Sequence, residues 1–429
     1  MTDRTVLIVV HDYPPIRSAG TERVLKFSQY LPEFGYRPII LTTGRYGGLT
    51  DDAARDVHRA DDLVHVLFSP LRRNRATGVP PEEQVRIATV SGSSPLGRVR
   101  DRAMIPDTKI GWLVPALQVG GALVAQRRPD LIFSSSPPET THLIAGRLAR
   151  ASRAPWVADL RDGWLFEPPA ASLRTGALRR AIESRLEGAM AGSAAAVVAV
   201  TDPIVEDLRA RYGSRIRRTA TISNGYDAAD FATLSRQRAA DGLFRLTYTG
   251  AFSGSSQGRS ADALFAAAGQ ILRDDPDTRL RIEIVGPASE EERGQATAYG
   301  VGSIVSFVPP VPRLGAYQHQ LDADALLLVT VTGVRSVATS KLYDYIGAGR
   351  PILALAQGNA AAATVERFGI GLTIPPDDPG AIATALKEMM RRHAAGEAWH
   401  GFDEARRHFE RRTLTGSLAA LFDEVLRAP

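Results

Sequence analysis

Cysteine is absent from the chain of 429 residues. Its absence excludes a disulfide framework, a thiol nucleophile and a thiolate-bound metal site. A chain without disulfides suits the cytosol, although exported proteins without cysteine also occur. Residues 1–4 run straight into the apolar stretch 6–10 without the layout of a signal peptide, which also favours a cytoplasmic location.

Motifs and apolar runs of other protein classes are missing as well. No G-x-G-x-x-G fingerprint follows the first predicted strand of either half, which argues against an NAD-dependent oxidoreductase. Neither a phosphate-binding P-loop nor an H-E-x-x-H zinc motif occurs. The longest apolar stretches, 112–125 and 194–200, are too short or too interrupted to span a bilayer.

Positive charges exceed negative charges only slightly in this chain. The 52 Lys and Arg against 47 Asp and Glu leave a net charge of +5, too mild and too dispersed to predict a nucleic-acid partner. Part of the surplus is local, since residues 71–102 contain seven Arg and three acids. With Trp112 nearby, this segment predicts peripheral contact with an anionic membrane or a lipid-diphosphate acceptor, and a solvated basic loop is the alternative. Six of the seven arginines carry this prediction, namely Arg72, Arg73, Arg75, Arg98, Arg100 and Arg102.

A regular alternation of strand and helix patterns fills most of the chain. Apolar residues at 44% and charged residues at 23% are ordinary for a globular protein. Short, continuously apolar runs predict parallel strands that are buried on both faces. The predicted strands are 6–10, 37–41, 64–67, 131–134, 156–159, 196–200, 219–222, 246–249, 281–285, 305–307, 325–329 and 352–356. Predicted helices include 21–34, 140–151, 182–190, 261–272, 341–346 and 380–392.

A polar interval at residues 232–242 divides this alternation into two parts. We therefore predict an α/β protein with two doubly wound parallel-sheet domains, 1–235 and 236–402. The amphipathic tail, 403–429, lacks strand patterns and is predicted to form helices that pack back onto the first domain.

Ligands of open α/β sheets bind beyond the carboxyl ends of the strands, so the loops at those ends hold the candidate site. After the first strand, Arg17, Ser18, Ala19 and Gly20 lead into a helix. Small residues at such a place let a ligand approach backbone N–H groups. The loop is therefore a candidate for binding an acceptor or a diphosphate, and a purely structural turn is the alternative.

Two further loops of the first half carry titratable residues. His142 follows the 134–136 serine run in the first turn of a helix, where it either faces the ligand or packs as a core histidine. The fifth strand ends in Asp159, Arg161 and Asp162, which are costly to bury unless they are paired or in use. In the functional interpretation one carboxylate accepts a proton or binds sugar hydroxyls, and Arg161 sets its geometry. In the structural one an Arg–Asp clamp holds the loop.

In the second half, a loop rich in Gly and Ser follows the first strand. Gly250, Phe252 and Arg259 belong to this loop, which precedes a helix. Backbone N–H groups and the helix dipole would face a diphosphate there, and Arg259 would neutralise its charge.

The segment from Ser340 to Pro351 has a more specific pattern than the loop after the first strand. Ser340 is predicted to cap a helix whose first turn holds Lys341, a cation that opposes the helix dipole unless an anion shares the site. Asp344 lies on the same helical face and can accept ribose hydroxyls. With Tyr343, these residues form one candidate set for binding a nucleotide.

Four segments together resemble one family. The first segment is 6–20, which contains Tyr-Pro-Pro. Residues 158–164 are similar to the motif D-F-R-D-P-W, and residues 222–227 are similar to I-x-N-G-x-D. Residues 340–351 are similar to S-K-L-x-E-Y-x-A-x-G-x-P. In this order they resemble the GT-B glycosyltransferases, specifically the retaining enzymes of family 4. The resemblance implies two Rossmann-like domains that face a central cleft, with the donor held mainly by the second and the acceptor by the first.

The resemblance also implies roles for particular residues. Asp344 takes the place of the acid that binds the donor's ribose, and Lys341 and Arg259 would contact its diphosphate. Gly20 matches the second glycine of the family's Gly-Gly loop, and Ala19 replaces the first. Enzymes of this fold generally work without a bound metal, so we expect neither a metal nor a cofactor besides the nucleoside-diphosphate sugar.

Departures from the family's pattern affect the predicted catalysis. Ser336 stands where the E-x7-E pair has its first acid, and the 134–136 serine run replaces a histidine. Asp162 or Asp159 would therefore handle the acceptor hydroxyl, or the donor phosphate would take its proton. A D-x-D sequence at 322–324 leads into a buried strand and is interpreted as structural.

The sequence thus predicts a retaining glycosyltransferase that moves a hexose-type sugar from a nucleoside diphosphate to a hydroxyl acceptor. The acceptor would be a cell-surface polysaccharide, a lipid-linked glycan or a natural product. Two alternatives stay open, a nucleotide-sugar epimerase on the same fold and a non-catalytic GT-B-like subunit that binds a partner transferase.

Overall fold

Two α/β units make up the computed structural model. The first unit comprises Met1–Ser223 with Leu414–Pro429, and the second comprises Asn224–Thr413. The structure describes residues 4–16, 19–44, 55–63, 104–167, 176–237, 241–252 and 261–428. Several predictions fall outside these ranges, namely Arg17, Ser18, Arg259, the strand at 64–67 and the arginines of residues 71–102.

The described part of the first unit is built on a parallel sheet of seven strands. They are β1 (Arg4–Val9), β2 (Tyr36–Thr43), β3 (Val57–Ala60), β4 (Leu131–Ser136), β5 (Trp156–Leu160), β6 (Ala196–Ala199) and β7 (Thr219–Thr221). Their order is β3-β2-β1-β4-β5-β6-β7. The helices are α1 (Ala19–Tyr30), α2 (Leu113–Arg127), α3 (Thr140–Ser152), α4 (Ala177–Ser193), α5 (Asp202–Tyr212) and the last helix of the chain, α13 (Arg411–Arg427).

Both faces of this sheet are buried. Leu7 and Val9 of β1 belong to a core with residues of α2, α3 and α5. Val6 and Ile8 point the other way and pack with residues of α1 and α13. Successive strand residues point to opposite faces, so burial on both faces requires the continuous apolar run seen in β1.

The described part of the second unit is built on a parallel sheet of six strands in the order β10-β9-β8-β11-β12-β13. The strands are β8 (Phe244–Thr249), β9 (Leu280–Val285), β10 (Val305–Val308), β11 (Ala325–Val329), β12 (Ile352–Leu355) and β13 (Gly371–Ile374). The helices are α6 (Asp262–Asp274), α7 (Glu290–Ala298), α8 (Arg313–Asp322), α9 (Ser340–Ala348), α10 (Ala360–Phe368), α11 (Pro379–Ala394) and α12 (Phe402–Phe409).

In each sheet the order of strands reverses beside the first strand of the unit. β1 lies between β2 and β4, and β8 lies between β9 and β11. Ligands of doubly wound folds bind at such switch points, outside the carboxyl ends of the strands. The loops after β1 and β4 in the first unit, and after β8 and β11 in the second, are therefore where a site is expected.

The predicted fold class, α/β with doubly wound parallel sheets, is confirmed. Sequence reasoning missed the strands β3 and β13, which are the edge strands of their sheets. Both are only four residues long, and β13 has no fully buried residue, so neither forms a continuous apolar run. In the tail, Phe402 and Phe409 of α12 join a core of the second unit, whereas Leu418 and Phe422 of α13 join a core of the first. No helix among the described residues is both long and apolar enough to cross a membrane.

Candidate active site

In the first unit, Arg161 lies directly over Gly20. Arg161 follows β5, and Gly20 is in the first turn of α1. A Cβ added at Gly20 would lie 1.4 Å from Nη1 of Arg161, so only glycine leaves room for this guanidinium. Arg161 also donates from Nε to the carbonyl oxygen of Ser136 at 2.9 Å and from Nη2 to that of Pro137. The loops after β1, β4 and β5 thereby converge on one cation at the start of a helix.

This position suits an anion. The first N–H groups of a helix have no intrahelical acceptor and carry partial positive charge. A guanidinium beside them adds to that charge, which Asp12, Asp159 and Asp162 offset in part. An anionic group there would accept hydrogen bonds from both the guanidinium and the helix. The structure thus brings together two residues that the sequence named separately, Gly20 and Arg161. Of the rest of that loop, Ala19 is the first residue of α1.

Asp159 is held by an arginine that sequence reasoning missed. Its buried carboxylate accepts hydrogen bonds from Nε and Nη2 of Arg23 at 3.1 and 2.8 Å, and from Oγ of Ser135 at 2.7 Å. Arg23 also donates to the carbonyl oxygens of Ile222 and Ser223, at 2.8 and 2.6 Å. An Arg–Asp clamp therefore exists here, but its arginine comes from α1. The signal in the sequence was a charged residue on the apolar face of α1.

Asp162 differs from Asp159 in its surroundings. Its side chain is exposed and follows Arg161 directly, whereas Asp159 is completely buried. The charge of Arg161 acts on the Asp162 carboxylate and lowers its pKa, against the rise that desolvation causes. The catalytic roles of both carboxylates stay predictions.

His142 is enclosed by aromatic rings. Its Nδ1 lies 2.8 Å from Oγ of Ser134, which also accepts a hydrogen bond from Nε1 of Trp156 at 2.7 Å. The ring centroids of Trp156 and Trp164 lie 6.0 and 6.3 Å away. Burial lowers the pKa of His142 to about 3, so the imidazole is neutral near pH 7. These contacts are those of a packed histidine.

A second histidine at the same edge was not among the predicted site residues. His11, in the loop after β1, is buried, and its Nδ1 lies 2.6 Å from Oδ1 of Asp12. Burial by itself would raise the pKa of Asp12, but the hydrogen bond with His11 and the charges of Lys109 and Arg161 lower it to about 2. Asp12 is therefore an ionised carboxylate near Arg161. The His11 ring packs on Trp112, which is completely buried and so cannot anchor the chain at a membrane surface.

In the second unit, Lys341 lies over Gly250. Gly250 directly follows β8 and has a φ of +127°, and a Cβ there would lie 2.5 Å from Cε and 2.9 Å from Nζ of Lys341. Nζ lies 5.5 Å from the centroid of the Tyr248 ring. The loop after β8 and the first turn of α9, predicted separately, are thus in contact. Gly286, directly after β9, packs closely against the backbone of Gly250, since an added Cβ would lie 2.5 Å from the carbonyl oxygen of Gly250.

The helix α9 is stabilised at its C-terminal end. It begins at Ser340, but the N-cap position is Thr339, so the prediction of Ser340 as the cap is wrong by one residue. At the other end, Gly349 adopts a left-handed conformation with a φ of +66°. Arg406 of α12 donates from Nε and Nη2 to the carbonyl oxygens of Ile346 and Gly347, at 3.2 and 2.8 Å. A cation at this end satisfies carbonyls that have no intrahelical donor.

Asp344, also in α9, belongs to a cluster of hydrogen-bonded polar side chains. It accepts a hydrogen bond from the Tyr317 hydroxyl at 3.3 Å, and that hydroxyl accepts one from Nε of Arg313 at 2.6 Å. Nη2 of Arg313 also binds Asp230 at 2.8 Å. Burial raises the pKa of Asp344 to about 6, although the charges of Arg313 and Arg411 oppose the rise. Its carboxyl group therefore changes charge just below neutral pH.

Two predicted donor residues lie in the core. Phe252 stacks on Tyr248 with a centroid distance of 4.1 Å, and Tyr343 packs against Phe409 at 5.3 Å. Both side chains are buried. They support the loop after β8 and the helix α9, and their roles in binding stay predictions.

The carboxylates of the D-x-D sequence have protein partners. Asp324 accepts from Nη2 of Arg236 at 2.5 Å and from the backbone N–H of Arg245 at 2.9 Å. Asp322 accepts from the backbone N–H of Gln237 at 2.5 Å and from Nε2 of Gln318 at 2.9 Å. Within the ranges that the structure describes, no group of three or more His, Asp or Glu could hold a metal ion.

Comparison with solved structures shows which fold these two units form. Sucrose-phosphate synthase from Thermosynechococcus elongatus has a TM-score of 0.63 and 14% identity, with 100% of both chains covered. Anabaena Alr3699/HepE in complex with UDP has a TM-score of 0.62 and 14% identity, with 98% of this chain and 100% of that chain covered. The chain has a GT-B fold.

Sequence comparisons of this GT-B chain give a more specific likeness. Residues 19–225 match the model of the glycosyl transferase 4-like domain. D-inositol 3-phosphate glycosyltransferase 1 of Catenulispora acidiphila is 29% identical over 242 residues, which cover 50% of this chain and 56% of that protein. The chain spans about half the length of the curated relatives it matches.

Proposed function

We propose that this GT-B chain is a retaining glycosyltransferase that moves a sugar from a nucleoside diphosphate to a hydroxyl acceptor. The observation that carries the proposal is the contact of Lys341 with Gly250, which places a cation at the carboxyl end of β8 and at the start of α9. The match of residues 19–225 to a glycosyl transferase 4-like domain supports the same activity. The solved neighbour HepE was crystallised with UDP, which supports a nucleotide donor.

The second unit would hold the donor. Lys341 and the first N–H groups of α9 would bind the diphosphate, and Asp344 would accept hydrogen bonds from the ribose when it is ionised. Arg259, which the sequence adds to this set, would neutralise further charge. As the sugar leaves, charge grows on the diphosphate, so fixed cations stabilise the transition state more than the bound donor.

The first unit would hold the acceptor. Arg161 and the start of α1 suit an anionic group, and Asp162 is exposed beside them. Relatives of this chain are named for D-inositol 3-phosphate, and a phosphorylated polyol is therefore the first soluble acceptor to test. A lipid-linked diphosphate presents a similar anion to the same place.

The transfer itself would need little covalent chemistry from the protein. The bond from the anomeric carbon to the diphosphate oxygen breaks, and the acceptor oxygen forms the new bond on the same face of the sugar. The acceptor proton goes to the leaving phosphate oxygen or to Asp162. Catalysis then consists mainly of positioning and electrostatic stabilisation.

The first experiment is thermal unfolding of the purified chain with UDP, GDP, ADP and TDP, and with NAD as a control. A ligand at a hundred times its Kd adds about 2.7 kcal/mol to the stability of the folded state. We expect a clear shift with one nucleoside diphosphate and none with NAD. No shift with any diphosphate favours the non-catalytic subunit.

The second experiment is transfer from the matching sugar nucleotide, followed by NMR of the product. Retention requires that the product and the donor share the same anomeric configuration. An inverted product excludes the retaining mechanism, and conversion of the donor to its epimer without transfer identifies an epimerase instead.

A further inference from the structure

A separate cavity lies within the second unit, at the edge of the sheet opposite Lys341. Its volume is about 100 Å³. Phe244 is the first residue of β8, Asp324 directly precedes β11 and Pro351 directly precedes β12, and all three line the cavity. Amino ends of parallel strands share one edge of a sheet, whereas Gly250 and Lys341 lie at the carboxyl edge. The cavity is thus distinct from the proposed donor site.

Two arginines face this cavity. Arg236 is paired with Asp324 at 2.5 Å, and the Asp324 carboxylate is fully buried. Arg350 donates from Nε to the carbonyl oxygen of Leu321 at 3.0 Å. Burial and the charge of Arg236 lower the pKa of Arg350 to about 10, which still leaves it charged at pH 7.

The carboxylates whose charges reach Arg350, Asp324 and Asp322, compensate it only in part, because other groups bind them. Arg236 and Asp324 neutralise each other, and His393 lies 3.6 Å from the same Asp324 carboxylate. Glu397, the other acid of the lining, is held by Arg391 at 2.7 Å and by Arg392 at 3.2 Å. Within the part of the chain that the structure describes, no carboxylate lies within ion-pair distance of Arg350. The cavity therefore presents a guanidinium that has no carboxylate in direct contact.

The remaining wall is apolar. Phe244, Pro351, Met389 and Trp399 line it. Trp399 is oriented by Arg392, whose guanidinium carbon lies 4.4 Å from the centroid of the indole ring. A cavity of this size has room for several water molecules, and so for a compact solute rather than a nucleotide.

We propose that this cavity binds a small organic carboxylate. The two oxygens of a carboxylate match the planar fork of Arg350, and a short apolar body would lie against Trp399 and Met389. A monoanion would complete the partial compensation of Arg350, and the apolar wall distinguishes it from inorganic phosphate. The site goes beyond sugar transfer and does not depend on it.

The test uses the full chain and propionate as the probe, with chloride added to hold the ionic strength constant. Trp112, Trp156 and Trp164 are buried in the first unit, so Trp399 is the tryptophan beside the cavity. We expect a saturable change in tryptophan fluorescence and a saturation-transfer NMR signal from the propionate methyl group. Trp399→Phe should remove the fluorescence change and keep the NMR signal.

Arg350→Gln is the decisive variant. It should weaken propionate binding about tenfold or more, because a charged hydrogen-bonding partner is lost. Arg273→Gln, on the exposed end of α6, is the matched control and should leave binding unchanged. Absence of saturation, equal binding by Arg350→Gln, or tighter binding of inorganic phosphate at equal ionic strength would overturn the proposal.

Discussion

Arg161 and Gly20 occupy adjoining space at the carboxyl edge of the first sheet. A Cβ at Gly20 would overlap Nη1 of Arg161 at 1.4 Å. The guanidinium thus lies over the first turn of α1, and any side chain at position 20 must displace it. A substitution at Gly20 therefore tests the role of Arg161 in the reaction.

Gly20→Ala should disable the acceptor side of the site. The added methyl group moves Arg161 away from the start of α1, so we expect kcat/KM for transfer to fall at least about tenfold, which corresponds to about 1.4 kcal/mol. Donor binding to the second unit should not change. Steady-state kinetics and UDP titration measure the two effects.

Gly121→Ala is the matched control. Gly121 is an exposed position in α2 with nothing within 4 Å of the added Cβ. Alanine there should keep full activity and raise stability by about 0.5–1 kcal/mol, because glycine is a poor helix former. If Gly20→Ala behaves like Gly121→Ala, Arg161 has no role in the reaction.

Lys341→Ala should weaken binding of the donor. A cation that binds a diphosphate contributes about 1.5–3 kcal/mol, so we expect the Kd for the nucleoside diphosphate to rise by tenfold or more. Lys387→Ala serves as the comparison, because Lys387 forms an exposed ion pair with Asp274 at 2.7 Å, and such pairs contribute little. Calorimetric titration measures the affinity of both variants for the nucleoside diphosphate. Equal affinities would show that Lys341 does not bind the donor.

Asp344 should give the protein a pH dependence below neutrality. Its pKa is about 6 when folded and 3.8 in the reference state. The folded state therefore binds more protons between these values, and this group's contribution to stability falls as the pH rises from about 4 to 6. Asp344→Asn removes that loss, so we expect the variant to be the more stable one at pH 7.5 and the difference to shrink toward pH 4.

The same variant should bind the donor poorly at every pH, since an amide cannot replace an ionised acceptor of ribose hydroxyls. In the parent protein, donor affinity should decline as the pH falls through about 6. Thermal unfolding and nucleotide titration from pH 4.5 to 8 measure both trends. A donor affinity that does not depend on pH and survives in Asp344→Asn would contradict the ribose assignment.

Breaking the pair of Asp159 and Arg23 should destabilise the first unit. Arg23→Ala leaves a buried carboxylate without its two charged donors, which typically costs about 3–5 kcal/mol. Arg4→Ala, which breaks an exposed pair with Asp423, should have little effect. The urea midpoint of each variant measures this, and a small shift for Arg23→Ala would show that the buried clamp is not needed for folding.

The alternation of apolar runs and amphipathic segments was sufficient to predict the fold class. Strands buried on both faces must be continuously apolar, and helices that cover them need one apolar side, so both patterns are local and readable. The same logic located the loops after β1, β5 and β8, because ligands bind at the carboxyl ends of strands whatever their order. Short edge strands such as β13 lack that constraint and were missed.

Pairings between distant residues depended on the tertiary structure. Arg23 and Asp159 are 136 residues apart, and the position of Arg23 on the apolar face of α1 does not show which residue pairs with it. Gly20 meets Arg161 because β4 alone separates β1 from β5, the strand before Arg161, and Gly250 meets Lys341 because β11, the strand before α9, lies beside β8. Strand order is decided by the packing of the whole unit. The sequence by itself determined which residue types lie at each carboxyl end, and the folded sheets decided which of them touch.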